Sequence, residues 1–161
     1  MKTLALIISL MLFSMVAHAR LGETPPQISV RYGAMKGLPE VIGTNTWKGK
    51  FRHAGFDVTV TFWNGKAVEE NFFKESFSIS KRDAETLFRA VSGDGKITSE
   101  SAETHDLKLI IVDFRNLNND ATGTLFDDGN DSGSLDVVTK DYTDFRSKKA
   151  HEDAKKKLAD F

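Results

Sequence analysis

The chain has 161 residues, with 22 Lys and Arg against 23 Asp and Glu, and no cysteine. Near-balanced charge argues against a broad nucleic-acid footprint. The missing thiols exclude disulfides, thiolate metal sites, a lipid-bearing N-terminal cysteine and a cysteine nucleophile.

Lys2, the apolar run Leu4 to Phe13 broken only by Ser9, and Ala17-His18-Ala19 form the pattern of a secretory signal peptide with a small-x-small cleavage site. The run is shorter than the roughly 20 residues a membrane span needs, and no later run reaches that length. Residues 1–19 are therefore expected to be removed, leaving a periplasmic or secreted protein that starts at Arg20 and has no transmembrane span. Loss of those 19 residues, Lys2 among them, leaves 142 residues with 21 basic and 23 acidic side chains. A single domain over residues 20–161 buries roughly 68% of the surface of its unfolded chain, so it can stand on a hydrophobic core without disulfides.

Thr24, Pro25 and Gln27 start a helix: Thr24 caps, Pro25 suits the first turn and Gln27 completes a capping box. Ile28 and Tyr32 share a face, and Gly33 ends the helix. Residues 34–45, with Gly37, Pro39 and Gly43, read as a loop. Trp47 to Arg52 is a strand that turns at His53-Ala54-Gly55. Phe56, Val58, Val60 and Phe62 then alternate with polar neighbours, the signature of a half-buried strand. Asn64-Gly65 is a hairpin turn and Ala67 to Phe73 the return strand. A three-residue Asn64-Gly65-Lys66 loop with a bulge is expected, pairing Phe62 with Val68 and Val58 with Phe72. The alternative two-residue turn pairs Val60 with Glu69 and sets a charge beside the core.

A second unit follows the same order. Ser80 and Asp83 form a capping box, and Ala84, Leu87, Phe88 and Val91 make one apolar stripe, ended by Gly93 and Gly95. Leu107 to Phe114 is expected to be the most buried strand, followed by strands at Ala121 to Phe126 and Ser134 to Thr139. A charged helix from about Asp141 to Leu158 closes the chain, with Glu152–Lys156 and Asp153–Lys157 as favourable pairs. The expected fold is α+β: a single antiparallel sheet of about six strands, built from two helix-plus-meander units (about 24–73 and 80–139), helices on one face, and a closing helix.

Gly22-Glu23-Thr24, Gln27, Arg31-Tyr32-Gly33, the stretch from Phe56 to Val68 and the segment Leu135 to Tyr142 resemble a group of small exported bacterial proteins of unknown function. A short helix ending in Tyr-Gly before a meander with an Asn-Gly-Lys turn is similar, more distantly, to the repeat of β-lactamase-inhibitor-like proteins and outer-membrane assembly lipoproteins. The resemblance implies a non-enzymatic envelope protein that works by surface contact, without lipid tethering.

Asp128, Asn130, Ser132 and Gly133 fit the first positions of a calcium loop, but the twelfth position is Thr139, inside a predicted strand. A solvated turn is the favoured reading, with calcium kept as the alternative and no other cofactor expected. His53, His105 and His151 carry no hydrolase motif; a small hydrolase with an unrecognised site is kept as an alternative, as is an inhibitor of an exported enzyme. Glu69 and Glu70 point to opposite faces of their strand. Arg146, Lys148, Lys149, Lys155, Lys156 and Lys157 are interleaved with acids and read as a solvated helix face. Trp63, Phe73 and Trp47 are the candidate binding residues: either they form an aromatic set on the sheet face the helices leave open, where a protein or envelope component would dock, or the terminal helix covers them.

Expressed with residues 1–19 in place in a bacterial host, the protein is expected outside the cytoplasm with Arg20 at its N-terminus, and Ala19→Leu should block the cut. N-terminal sequencing of fractionated cells checks both.

Overall fold

The computed structural model describes residues 21–75, 78–104, 109–128 and 132–159. The expected signal peptide, His105 and Asn130 therefore lie outside the described residues. Elements run α1 (Pro25–Tyr32), β1 (Lys36–Gly43), β2 (Thr46–His53), β3 (Phe56–Trp63), β4 (Lys66–Lys74), α2 (Lys81–Ser92), β5 (Ile97–Thr104), β6 (Leu109–Asn116), β7 (Thr122–Asp127), β8 (Gly133–Val138) and α3 (Lys140–Ala159). The strands form one antiparallel sheet in the order β1-β2-β3-β4-β8-β7-β6-β5. No helix among the described residues is long and apolar enough to cross a membrane.

The class is α+β as expected, but the sheet has eight strands rather than six. Each unit is a helix followed by a four-strand meander, and the two strands beyond the expected six, β1 and β5, are the two edges. β1 occupies the segment expected as a loop. Its residues are exposed from Lys36 to Ile42, so no burial pressure writes an alternation into it. Proline is tolerated there because an edge strand needs only half its N–H groups. β5 is likewise dominated by Ser, Thr and Glu.

The hairpin joining β3 and β4 also differs. Asn64 and Gly65 make a two-residue turn, both with positive φ (51° and 74°), the conformation an Asn-Gly hairpin favours. The bulge sits one step inside the strands, between Thr61 and Phe62, where Val68 is the extra residue. Phe62 therefore faces Ala67, Val60 faces Glu70, and Val58 faces Phe72. The Val58–Phe72 pair is the expected one; the Phe62–Val68 pair is not formed. Of the 107–114 segment, 107 and 108 lie outside the described residues, and residues 110–114 are not the most buried run. Val112 and Phe114 of β6 are buried, but Asp113 and Arg115 beside them are exposed, whereas Ala67, Val68, Glu69 and Glu70 of β4 are buried in succession.

α1 and α2 cover one face. Gln27 Oε1 accepts from the Thr24 backbone N–H (2.9 Å) and hydroxyl (2.8 Å), and Gly33 leaves the helix at φ 85°. Ile28 and Tyr32 point inward. In α2 the Ser80 hydroxyl accepts from the Asp83 N–H (3.1 Å), and Ala84, Phe88 and Val91 point inward. Phe88 stacks on Phe114 at 5.5 Å and lies over Gly123, where an added Cβ would come 2.5 Å from its ring. One buried cluster contains Phe51, Val58, Val60, Phe62 and Phe72 of the first unit and Val112, Phe114, Leu125, Leu135 and Val137 of the second.

One carboxylate sits inside this core. Glu70 is fully buried, and the Tyr32 hydroxyl donates to its Oε2 at 2.5 Å. Its Oε1 has no hydrogen-bond partner among the described residues. Burial pushes the Glu70 carboxyl up to about 7, against the downward pull of the Tyr32 hydrogen bond and of Arg31. Burial and the neighbouring Glu70 raise the Tyr32 phenol too, so it stays a donor. Arg31 spans the Tyr32 ring at 5.8 Å and pairs with Glu23 at 2.5 Å. Most residues that carry the resemblance in Gly22–Gly33 thus have structural work: Thr24 and Gln27 cap α1, Glu23 and Arg31 pair across it, Tyr32 fastens it to β4, and Gly33 ends it.

A carboxyl with a raised folded-state pKa binds protons more tightly in the folded than in the unfolded chain. Its contribution to stability is complete below its ordinary value of 4.5 and declines as pH rises through about 7. Relative to Glu70→Gln, the wild-type chain should lose on the order of 3 kcal/mol of stability between pH 4.5 and 8. Urea unfolding of both proteins across that range checks it; parallel pH curves would refute it.

Candidate functional site

Because side chains alternate along each strand, the sheet has a second face, turned away from α1 and α2. Three rows cross it. The first runs through Lys48, Thr61, Glu69 and Val138 to Thr122 and Arg115; the second through Thr59, Asn71, Asp136 and Thr124 to Asp113 and Glu100; the third through Asp57, Phe73, Ser134 and Phe126 to Ile111.

α3 lies over one end of this face, above the first unit. Phe145 stacks on Trp63 at 4.7 Å, with Tyr142 6.0 Å from the same ring. Arg146 Nη1 donates to Glu69 Oε1 at 2.6 Å, and the Thr61 hydroxyl donates to Glu69 Oε2 at 2.7 Å. Farther along, α3 and the β1–β2 turn enclose a depression of about 580 Å³, and residues 147–157 of α3 are exposed. Arg146 is therefore not part of a purely solvated face as its charge pattern suggested, whereas Lys148, Lys149 and Lys155 to Lys157 are exposed. Beside Arg146, a polar hollow of about 370 Å³ is lined by Lys48, Thr59, Asn71 and Asp136. Burial, then the charge of Glu69, raises the Asp136 carboxyl to about 6, opposed by Arg146, Lys48 and Asn71.

The three candidate aromatics do not form one patch. Trp47 faces Phe62 across the β2–β3 pair and stacks on it at 4.1 Å, on the side covered by the helices. Trp63 is on the other face but under α3. Phe73 alone of the three lies on the uncovered part, 39% exposed. Its apolar neighbours there are Phe126, 45% exposed, and the half-buried Ile111 beside it. Phe73 and Phe126 flank Ser134, two strand spacings or about 10 Å apart. The alternation of Leu125 with Phe126 gives the direction of Phe126. Its nearness to Phe73 requires β8 to lie between β4 and β7.

At the calcium-loop candidates, the Ser132 hydroxyl donates to Asp128 Oδ2 at 2.8 Å and the Ser132 N–H to Oδ1 at 3.3 Å, closing the hairpin loop on itself. Asn130 is outside the described residues, among which no group of three or more His, Asp or Glu side chains is placed to hold a metal ion. His53 lies with its ring 5.4 Å from that of Tyr32, and His151 is exposed on α3.

These features define an α+β protein with one covered and one largely open face on an eight-stranded antiparallel sheet. No protein-family model matches the chain, and no curated protein sequence matches it. Among solved structures, the chain is similar to a cysteine-rich secretory protein from Staphylococcus aureus, with a TM-score of 0.41, 10% identity, and coverage of 76% of this chain and 45% of that one. The chain thus spans less than half the length of that structure.

Trp63→Ala removes the ring on which α3 rests. It is expected to cost about 1–3 kcal/mol and to speed amide exchange across Lys140–Lys149 while leaving β6 and β7 unchanged. Hydrogen exchange by mass spectrometry reads both regions.

Proposed function

We propose that this protein is an exported, non-enzymatic recognition module of the cell envelope that docks a protein partner on the open sheet face. The observation that carries the reading is the uncovered row of Phe73, Phe126 and Ile111. Exposed aromatics held on a rigid sheet bury a large apolar area at little conformational cost, which is why such residues dominate binding energy at protein interfaces. The adjoining row supplies the polar border: Asn71, Thr124 and the carboxylates of Asp136, Asp113 and Glu100. Asp136 is met by Arg146 and Lys48, but Asp113 and Glu100 at the far end of the row have no ion pair among the described residues. The complementary surface there is therefore a basic one carrying an apolar side chain. The resemblance of residues 22–33 to small exported proteins points to the same compartment.

The double variant Phe73→Ser/Phe126→Ser should reduce recovery of bound protein from an envelope fraction at least tenfold, with an unchanged circular dichroism spectrum. Val30→Ser, on the outer side of α1 and 83% exposed, should leave recovery unchanged. Equal recovery by the double variant and the wild type would remove the open face as the docking surface.

A further inference from the structure

The two edges of the sheet are built differently. From Lys36 to Glu40, β1 advances four residues while β2 advances two, from Lys50 to Lys48, and a second shift follows between Val41 and Gly43. Gly37 lies in that bulge at φ 71°, and Pro39 has no N–H to offer. Bulge, proline and lysine are the features that keep another strand from adding to an edge. β5 has none of them. Its eight residues pair with β6 without a shift, from Ile97 opposite Asn116 to Thr104 opposite Leu109, and it contains neither proline nor lysine. Half its N–H and C=O groups point away from β6, a regular ladder about 27 Å long.

Two carboxylates stand beside that edge. Glu100 projects onto the open face opposite Asp113 of β6. Both line a depression of about 390 Å³ together with Thr98, Arg115, Leu117 and Thr124. The Thr124 hydroxyl donates to Asp113 at 2.8 Å, while Arg115 is held by Asp120 at 2.6 Å. Neither Glu100 nor Asp113 has an ion pair among the described residues.

We propose that β5 is a strand-addition site for an extended segment of a protein partner that carries lysine or arginine at alternate positions. The backbone of the segment continues the sheet as a ninth strand. Its basic side chains fall on the open face, with the ammonium or guanidinium group between Glu100 and Asp113 and the aliphatic stem against Leu117. A second copy of this chain is the poorer occupant. The open-face side chains of its own β5 in the described region, Thr98, Glu100 and Ala102, bring no cation, and its β1 is broken by Pro39 and the bulge. The inference rests on the recognition reading only in taking the partner to be a protein.

The test uses the full mature chain and four end-capped octapeptides: alternating lysine and valine, alternating glutamate and valine, and the lysine peptide N-methylated at alternate amides in each of the two phases. The lysine peptide is expected to slow amide exchange within Ile97–Thr104 and to bind at least tenfold more tightly than the glutamate peptide. Glu100→Lys should reverse that order, and one of the two methylation phases should abolish binding. Phe73→Ser/Phe126→Ser should leave peptide binding intact, so failure of the face reading is separable from failure of this one. Four outcomes would overturn the proposal: no protection of β5 by millimolar lysine peptide, equal binding of both charges, loss of peptide binding in the phenylalanine variant, or concentration-dependent protection of β5 without peptide. The last would assign the edge to a second copy.

Discussion

The antiparallel pairing of β4 with β8 makes two helix-and-meander units one molecule. Its register sets Phe72 opposite Leu135 and Glu70 opposite Val137 on the covered face, and Asn71 opposite Asp136 and Phe73 opposite Ser134 on the open one. A four-strand meander with one short helix has a small core by itself. Joined through β4 and β8, the two apolar faces become continuous, and the buried cluster runs from Phe51 to Phe114 without a break between units.

The same joint explains why the two faces are so unlike. α1 and α2 both enter from the side of Val58, Val60, Phe114 and Leu125, which leaves Thr59, Asn71, Asp136, Thr124 and Asp113 with no layer above them except where α3 crosses. The Glu70 carboxyl is the exception to an apolar interior. It tolerates burial because Tyr32 donates to it and because its raised pKa lets it carry a proton near neutrality, so a full buried charge is avoided. That bond also fixes the orientation of α1, whose Arg31–Glu23 pair closes over the Tyr32 ring.

Legibility in the sequence followed burial. β3, β4, α1 and α2 were readable because Phe56–Phe62, Ile28–Tyr32 and Ala84–Val91 carry apolar residues at the period of their element, and because Thr24, Ser80, Gly33 and Asn64-Gly65 mark their ends. β1 and β5 were not, since an edge strand packed on one side only owes its existence to hydrogen bonds that any residue supplies. The β3–β4 hairpin was legible in part: Val58 pairs with Phe72 as expected, but the bulge lies between Thr61 and Phe62 instead of at the turn. Asn64 and Gly65 both adopt positive φ and close a two-residue turn, which moves the bulge one step into the strands. The Glu70 carboxyl that this register places in the core is met by Tyr32, a partner 38 residues away.

The aromatic site shows where the limit lies. Local alternation correctly put Trp63 and Phe73 on the face opposite Phe62, but the strand order brings Phe126 and Ile111 beside Phe73, and the path of α3 covers Trp63. By itself the sequence determined the composition of the elements, their caps and turns, and which side chains share a face within each strand, because these depend on residues a few positions apart. Only the tertiary structure decided which strands are neighbours, which edge is guarded and which aromatics stay uncovered. Those outcomes depend on backbone pairing and helix placement between segments far apart in the chain, and the residue types that permit them permit other arrangements equally well.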